Sequence, residues 1–429
     1  MKFGLFYEHQ LPQPWEEGSE LRLYQEALEQ VELADRIGID YVWEVEHHFL
    51  EEYSHSSAPE VFLAACSQCT NRIRLGHGIT LMPPRYNHPA RVAERIAALD
   101  LVSRGRVDWG TGESATALEM EGFGINPDEK NAMWQEATEQ AANMLVMRPY
   151  PGYQGRYFEM PCRNLVPKSV QKPHPPMWVA CSRRETIHRA ARHGLGALTF
   201  AFVEPEQAAH WVAEYYDIIK SAECVPIGHA VNANVAIVSG MSCHPDEQEA
   251  IRRGLDGFRF FGYSLGYVGI YGRHRPGVSD VWAKFLEVKD SLPDNAGRGG
   301  IGTPEQVAAH LRRYEAVGID QVIFVQQCGR NRHSDICESL EIFGKHVLPE
   351  FQERDRRREV TKQRELAGAM DAALARKPLM KPIAPEDVPE VVAFGQRAKT
   401  ASVSAESVSD RGGAIAIPRE DPHARQRAS

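Results

Sequence analysis

Strand-like and helix-like segments alternate from the first residue to about position 350, and few architectures accept such a chain. An apolar run at Lys2–Glu8 precedes Leu21, Tyr24, Leu28, Val31, Ala34 and Ile37 at helical spacing, with Gly38 as a left-handed stop. The same alternation predicts strands at Tyr41–His47, Arg74–Leu81, Arg106–Gly110, Met177–Cys181, Ala197–Phe202, Ala233–Ser239 and Gln321–Gln327. Helices are predicted at 20–37, 58–70, 88–102, 128–147, 184–193, 204–222 and 335–348. The joint Gly38-Ile39-Asp40-Tyr41-Val42 recurs as Gly318-Ile319-Asp320-Gln321-Val322, and more loosely as Gly194-Leu195-Gly196-Ala197-Leu198. Helix, glycine, then β-branched strand is what a repeated β–α unit requires. Eight strands with helices between them predict an α/β fold, a (β/α)8 TIM barrel over residues 1–353. Insertions are expected at about 148–176, with a hairpin at Tyr153–Phe158, and at 252–303, which is aromatic and glycine-rich. The 148–176 hairpin and the aromatic stretch 252–275 are candidates to cover a pocket, and the longer break reads as a lid or an oligomer contact. Residues 354–429 predict a charged helix and then, beyond Pro378, a disordered tail.

A net charge of -9 argues against a nucleic-acid partner. No apolar stretch is long enough to span a bilayer, and Met1–Phe6 reads as a first strand rather than a signal peptide. A cytoplasmic protein without membrane contact is expected. The eight cysteines are scattered; Cys66 and Cys69 have CxxC spacing but sit in an apolar helical pattern without a second pair. They read as buried thiols, not ligands.

The second strand ends in Trp43-Glu44-Val45-Glu46-His47-His48-Phe49. Barrel strands open onto the active-site face at their C-terminal ends, so Glu46, His47 and His48 are the candidate catalytic residues. Imidazole titrates near neutrality and can give or take a proton there. Successive strand residues face opposite ways, so His47 and His48 should not enter one site together. A metal would prefer His-x-His, which the chain lacks, and no metal site is expected. Glycines inside Gly76-His77-Gly78-Ile79 point to a bulge or a close backbone approach, as under a flat ligand. Gly110-Thr111-Gly112-Glu113-Ser114-Ala115 and Gly297–Gly302 match dinucleotide fingerprints formally, but neither has the strand–turn–helix setting of a nicotinamide site. Ala180-Cys181-Ser182-Arg183-Arg184 runs from a strand into a helix start with hydroxyl and guanidinium groups at the turn, a candidate phosphate cradle or an ordinary N-cap.

Read in order, Lys2-Phe3-Gly4, Gly38-Ile39-Asp40, Glu46-His47-His48-Phe49, Arg74-Leu75-Gly76, Leu81-Met82-Pro83, His88-Pro89, Ser103-Arg104-Gly105-Arg106 and Val179-Ala180 resemble the bacterial luciferase-like flavin-dependent monooxygenases. The resemblance runs from Met1 to about Phe351. It implies a barrel that binds reduced FMN, or in some branches the deazaflavin F420, at the C-terminal face. His47 matches the family's proposed active-site base, with Glu46 and His48 as neighbours that orient or buffer it. Gly78-Ile79 falls where the family has a bulge with a non-proline cis peptide beneath the isoalloxazine. Gly110, Thr111 and the turn from Ala180 to Arg184 fall on the cofactor site, with 181–186 at its phosphate end. Luciferase itself has arginine where this chain has Glu113, so either Arg183 or Arg184 is the implied replacement or the ribityl end is held differently. The implied reaction oxygenates a small organic substrate with O2 through a flavin C4a-(hydro)peroxide. The reduced flavin comes from a separate NAD(P)H:flavin reductase, and a homodimer is expected. The rival readings are an F420-dependent oxidoreductase on the same barrel and a non-catalytic flavin-binding protein.

Overall fold

The computed structural model describes residues 1–392 apart from Ala201 and Asn295. Eight parallel strands form its centre: β1 (Lys2–Tyr7), β2 (Tyr41–Glu44), β3 (Arg74–His77, resumed at Thr80–Leu81), β4 (Val107–Gly112), β5 (Met177–Cys181), β6 (Gly196–Thr199), β7 (Val235–Gly240) and β8 (Gln321–Val325). On one side β1 sets Phe6 opposite Trp43 of β2, and on the other it sets Phe3 opposite Val322 of β8. The ring therefore closes as a (β/α)8 barrel, as the alternation predicts. Around it lie α1 (Ser19–Ile37), α2 (Pro59–Cys69), α3 (Pro89–Val102), α4 (Ala117–Phe123), α5 (Lys130–Val146), α6 (Arg184–Arg192), α7 (Pro205–Lys220), α8 (Glu247–Gly266), α9 (Val281–Val288), α10 (Pro304–Ala316), α11 (His333–His346) and α12 (Leu348–Arg376).

Strand alternation sorts the core into two parts. Phe3, Leu5, Val42 and Leu75 face outward into the helix layer, while Phe6, Trp43, Trp178 and Leu198 fill the interior. The Trp43 and Trp178 rings meet edge to face at 5.3 Å between centroids. They take up the space of their neighbours: a Cβ at Gly76 would lie 2.2 Å from the Trp43 ring, and one at Gly196 2.3 Å from the Trp178 ring. The lower barrel is thus packed solid, and any ligand is confined to the C-terminal mouth. Gly76→Ala is expected to overpack this layer and cost about 1–3 kcal/mol of stability. A denaturant midpoint equal to wild type would show that Trp43 yields instead.

Three departures from the expected elements bear on the mouth. β3 breaks at Gly78-Ile79, where the Gly78 N–H donates to Glu44 O at 2.7 Å. β2 stops at Glu44, and the His47 N–H turns to Ser56 O at 2.8 Å. An unexpected helix, α4, starts from the Thr116 cap and ends at Gly124 with φ 64°. The 148–176 insertion does form a hairpin, Tyr150–Gln154 with Glu159–Arg163. It is held against α5 rather than over the mouth, because Glu136 accepts N–H groups from Arg156, Tyr157 and Phe158 at 3.0–3.3 Å. Cover comes from the other insertion: Phe261 of α8 packs on Phe6 (6.3 Å) and Tyr53 (6.0 Å). α12 runs unbroken across residue 353, burying Phe351, Leu366 and Ala373, and the compact unit reaches Pro382. Most of the expected disordered tail, 393–429, lies outside the described residues.

Candidate active site

His47 lies just beyond β2, and its side chain is 21 % exposed. Its imidazole sits between two carboxylates: Nδ1 is 2.9 Å from Glu119 Oε1, and Nε2 is 3.7 Å from Glu8 Oε2. Glu119, on α4, is fully buried and also accepts from Ser114 Oγ (2.6 Å), Thr116 Oγ1 (2.8 Å) and the His48 N–H (3.0 Å). Glu8 follows β1 and accepts from the Tyr53 hydroxyl at 2.7 Å.

The charges follow from this geometry. Burial disfavours a charged His47, but the Glu119 and Glu8 carboxylates outweigh it and hold its pKa up to about 9. Burial also pushes Glu119 toward the neutral acid, yet the His47 charge and the bonds from His47, Ser114 and Thr116 keep its pKa at about 2. Burial raises Glu8 to about 7, against the pull of His47 and the Tyr53 and Ser54 hydrogen bonds. At neutral pH His47 is therefore an imidazolium, a donor at both nitrogens. Glu8 is the member of the set that changes charge near neutrality.

The neighbours expected to orient His47 do other work. Glu46 accepts the Leu81 N–H at 2.7 Å and Asn87 Nδ2 at 2.8 Å, pinning the resumed half of β3. His48, beyond the end of β2, has partners of its own, with Nε2 3.3 Å from Glu46 and its ring on Phe123. Glu119 and Glu8 make the ion-pair contacts to the imidazole, and the Glu46 carboxylate adds a smaller upward pull on its pKa from farther off.

The floor of the mouth is apolar. Gly78 faces inward, where an added Cβ would rest 3.4 Å from Phe6 and Trp43, and Ile79 joins the interior cluster. The 78–79 peptide is trans, so the implied cis bond is not present; the cis peptides among the described residues all precede proline. Glu44 O accepts the Gly78 N–H, so the trans bulge leaves that donor satisfied. Gly110 admits no side chain, for a Cβ would stand 2.0 Å from His77 O. Thr111 points outward, donating to Trp178 O (2.9 Å) and accepting from Trp134 Nε1 (3.0 Å), so it supports the wall and does not line the mouth.

At the far rim Ala180 faces the interior, while Cys181 is buried outward with Sγ 3.3 Å from Thr186 O. The Ser182 and Arg183 N–H groups both donate to Thr186 Oγ1 at 3.1 Å. Arg184 is turned away from the mouth and engaged with Glu214 of α7, at 2.7 Å from Nε. Arg189 and Lys130 stand nearer. Arg189 is 3.4 Å from Glu113 and its guanidinium lies 4.7 Å over the Trp134 ring. Lys130 Nζ donates to Ser114 O at 2.6 Å, and its pKa is lowered by burial and by the adjoining Arg189 and Arg183 charges, against the pull of Glu113. Sequence reasoning missed Glu8, Glu119, Lys130 and Arg189. The spacing Thr116-x-x-Glu119, with Gly124 as a stop, was the available signal for α4.

The family model described as luciferase-like monooxygenase matches residues 1–321. The chain belongs to the luciferase-like monooxygenase family. This luciferase-like protein is 24% identical over 372 residues to the oxygenase component of flavin-dependent trigonelline monooxygenase of Acinetobacter baylyi, covering 82% of this chain and 96% of that one. It is 32% identical over 168 residues to protein y4vJ of Sinorhizobium fredii, covering 39% of this chain and 47% of the other. It thus spans about half the length of that relative. Among solved structures it is similar to monooxygenase RslO1 from Streptomyces bottropensis, with a TM-score of 0.67 and 26% identity over 82% of this chain and 100% of that one. It shares its fold with an F420-dependent secondary alcohol dehydrogenase (TM-score 0.61, 21% identity, 81% and 98% covered). Among the described residues no helix is long and apolar enough to cross a membrane.

Proposed function

We propose that this luciferase-like protein is the oxygenase component of a two-component flavin-dependent monooxygenase. It takes reduced FMN from a separate NAD(P)H:flavin reductase and places one atom of O2 in a small organic substrate, the other leaving as water. The observation that carries this reading is the His47 imidazole, held between Glu119 and Glu8 at the apolar mouth of the barrel. The residues fit a flavin: Gly78 leaves a cradle that a Cβ would fill, and Glu8 Oε2 is buried without a hydrogen-bond donor. Bound reduced FMN supplies the two electrons that activate oxygen.

Each neighbouring residue has a task in that reading. His47 Nε2–H donates to oxygen as negative charge develops on it. Glu119 keeps the ring charged and fixed, and Glu8 holds or returns a proton close by. Phe261 and Tyr53 exclude water from the mouth. Arg183, Arg189 and Lys130 supply the positive charge for the flavin phosphate, in place of Arg184. Arg189→Ala is expected to weaken FMN roughly 10- to 100-fold, as the loss of one charge-assisted bond does. Riboflavin, which lacks the phosphate, should bind as before in a fluorescence titration. An equal loss for both flavins would remove Arg189 from the phosphate end.

The alternative is an F420-dependent oxidoreductase, favoured by the proton-exchanging Glu8–His47 pair and by the shared fold of the F420-dependent neighbour. Stopped-flow mixing with O2 separates them. The oxygenase reading expects the reduced-FMN complex to return to oxidised FMN through a transient near-UV species. Direct single-phase reoxidation together with tight F420 binding overturns it.

A further inference from the structure

A cavity of about 340 Å³ opens beside α8, between that helix and Leu292–Asp294. Phe202, Phe258, Leu265, Tyr263 and Ile270 give it apolar and aromatic walls. One end is charged. Arg259 Nη2 is 3.0 Å from Asp294 Oδ1, and Arg298 Nε is 3.0 Å from Asp294 Oδ2. Asp294 is the only acid among the described lining residues, so two guanidinium groups share a single carboxylate. Arg259 Nε is buried and its N–H has no acceptor. An apolar chamber with one uncompensated positive charge and a spare donor fits a monoanion with a hydrocarbon body.

The helix beside the cavity is built to leave it open. α8 carries glycines at 254, 257, 262 and 266. A Cβ would strike Ser242 at 2.4 Å from the first, Asn331 at 2.2 Å from the second, and Tyr271 at 2.7 Å from the last. At Gly262 it would meet nothing within 4 Å. Glycine weakens a helix relative to alanine, and packing gives no reason for it at 262. What it leaves is cavity space.

Packed rings connect the cavity wall to the candidate active site. Phe202 packs on Phe261 at 6.0 Å, Phe261 on Tyr53 at 6.0 Å, and Tyr53 on the His47 ring at 5.6 Å. Phe202 is thus the lining residue that packed rings join to the barrel mouth, while Arg259 and Arg298 hold the charged end.

We propose that this cavity is the specificity pocket for an apolar monocarboxylic acid. Its carboxylate is held by Arg259 and Arg298, and its body lies along Phe258 and Phe202 toward His47. That the acid is the molecule oxygenated rests on the oxygenase reading above; its binding does not.

The test is calorimetric titration of the full chain with decanoate and 2-naphthoate, each set against its alcohol, 1-decanol and 2-naphthalenemethanol. At least one acid is expected to bind 10-fold or more tightly than its alcohol. Arg259→Gln with Arg298→Gln should erase that preference while leaving the alcohol's affinity unchanged. Gly262→Trp should weaken acid and alcohol alike by at least 10-fold, with the wild-type circular dichroism spectrum retained. The inference is overturned if neither acid binds, if acid and alcohol bind equally, or if the folded variants bind the acid as wild type does. FMN affinity, measured separately by fluorescence, is expected to be the same in all of these proteins. Loss of flavin binding in wild type would sink the oxygenase reading and leave the acid site standing.

Discussion

Replacing His47 with alanine is expected to lower oxygenated product by about 10²–10⁴-fold, the range that a positioned acid–base group supplies. The electrons of reduced FMN should then appear as hydrogen peroxide. The loss falls on turnover rather than on flavin affinity, because the cradle at Gly78 and the cations near Glu113 are untouched. The check is product and peroxide per NADH consumed, with a flavin reductase supplied and folding confirmed by circular dichroism. A fall smaller than about 10-fold, or a parallel collapse in FMN binding, would take the imidazole out of the chemistry.

The second large effect concerns Glu119. Glu119→Ala leaves a mostly buried imidazolium facing only Glu8, and truncating one partner of such a pair costs about 3–5 kcal/mol. Glu119→Gln keeps the shape and lets the desolvation of His47 dominate, so the ring should be neutral at pH 7.5. Histidine ¹⁵N shifts would show this directly.

The pH dependence has a defined sign. His47 titrates at about 9 in the fold against an ordinary 6.5, so the pair's contribution is whole below about pH 6.5 and is lost as pH rises through 9. Glu119 titrates at about 2 against an ordinary 4.5, so the same contribution is whole above about pH 4.5 and is lost as pH falls through 2. The stability difference between wild type and Glu119→Gln should therefore be flat from about 4.5 to 6.5 and shrink on either side. A difference independent of pH would mean that the two groups do not share a charge pair.

The barrel was legible because its strands are covered on both faces and its helices end in glycines that need positive φ. Gly38 and Gly318 stand at 101° and 93°. His47 was legible because an apolar run ended in three titratable residues at a predicted strand end. Its partner was not, since Glu119 stands 72 residues away on a seven-residue helix, and the pairing of β2, β3 and β4 side by side brings the two together. Arg184 misled for the converse reason. It sits at the helix start where a phosphate cradle belongs, but its fork finds Glu214 30 residues later on α7. Arg189, one turn further along α6, carries no local mark that separates it from a surface cation.

The edge-to-face indoles of Trp43 and Trp178 have an optical consequence. They stand directly under the cradle, so a yellow chromophore lying there would drain their fluorescence by energy transfer. The protein thus contains its own occupancy gauge: tryptophan emission should dim in step with flavin loading, and Trp178→Phe should blunt that response without altering the loading itself.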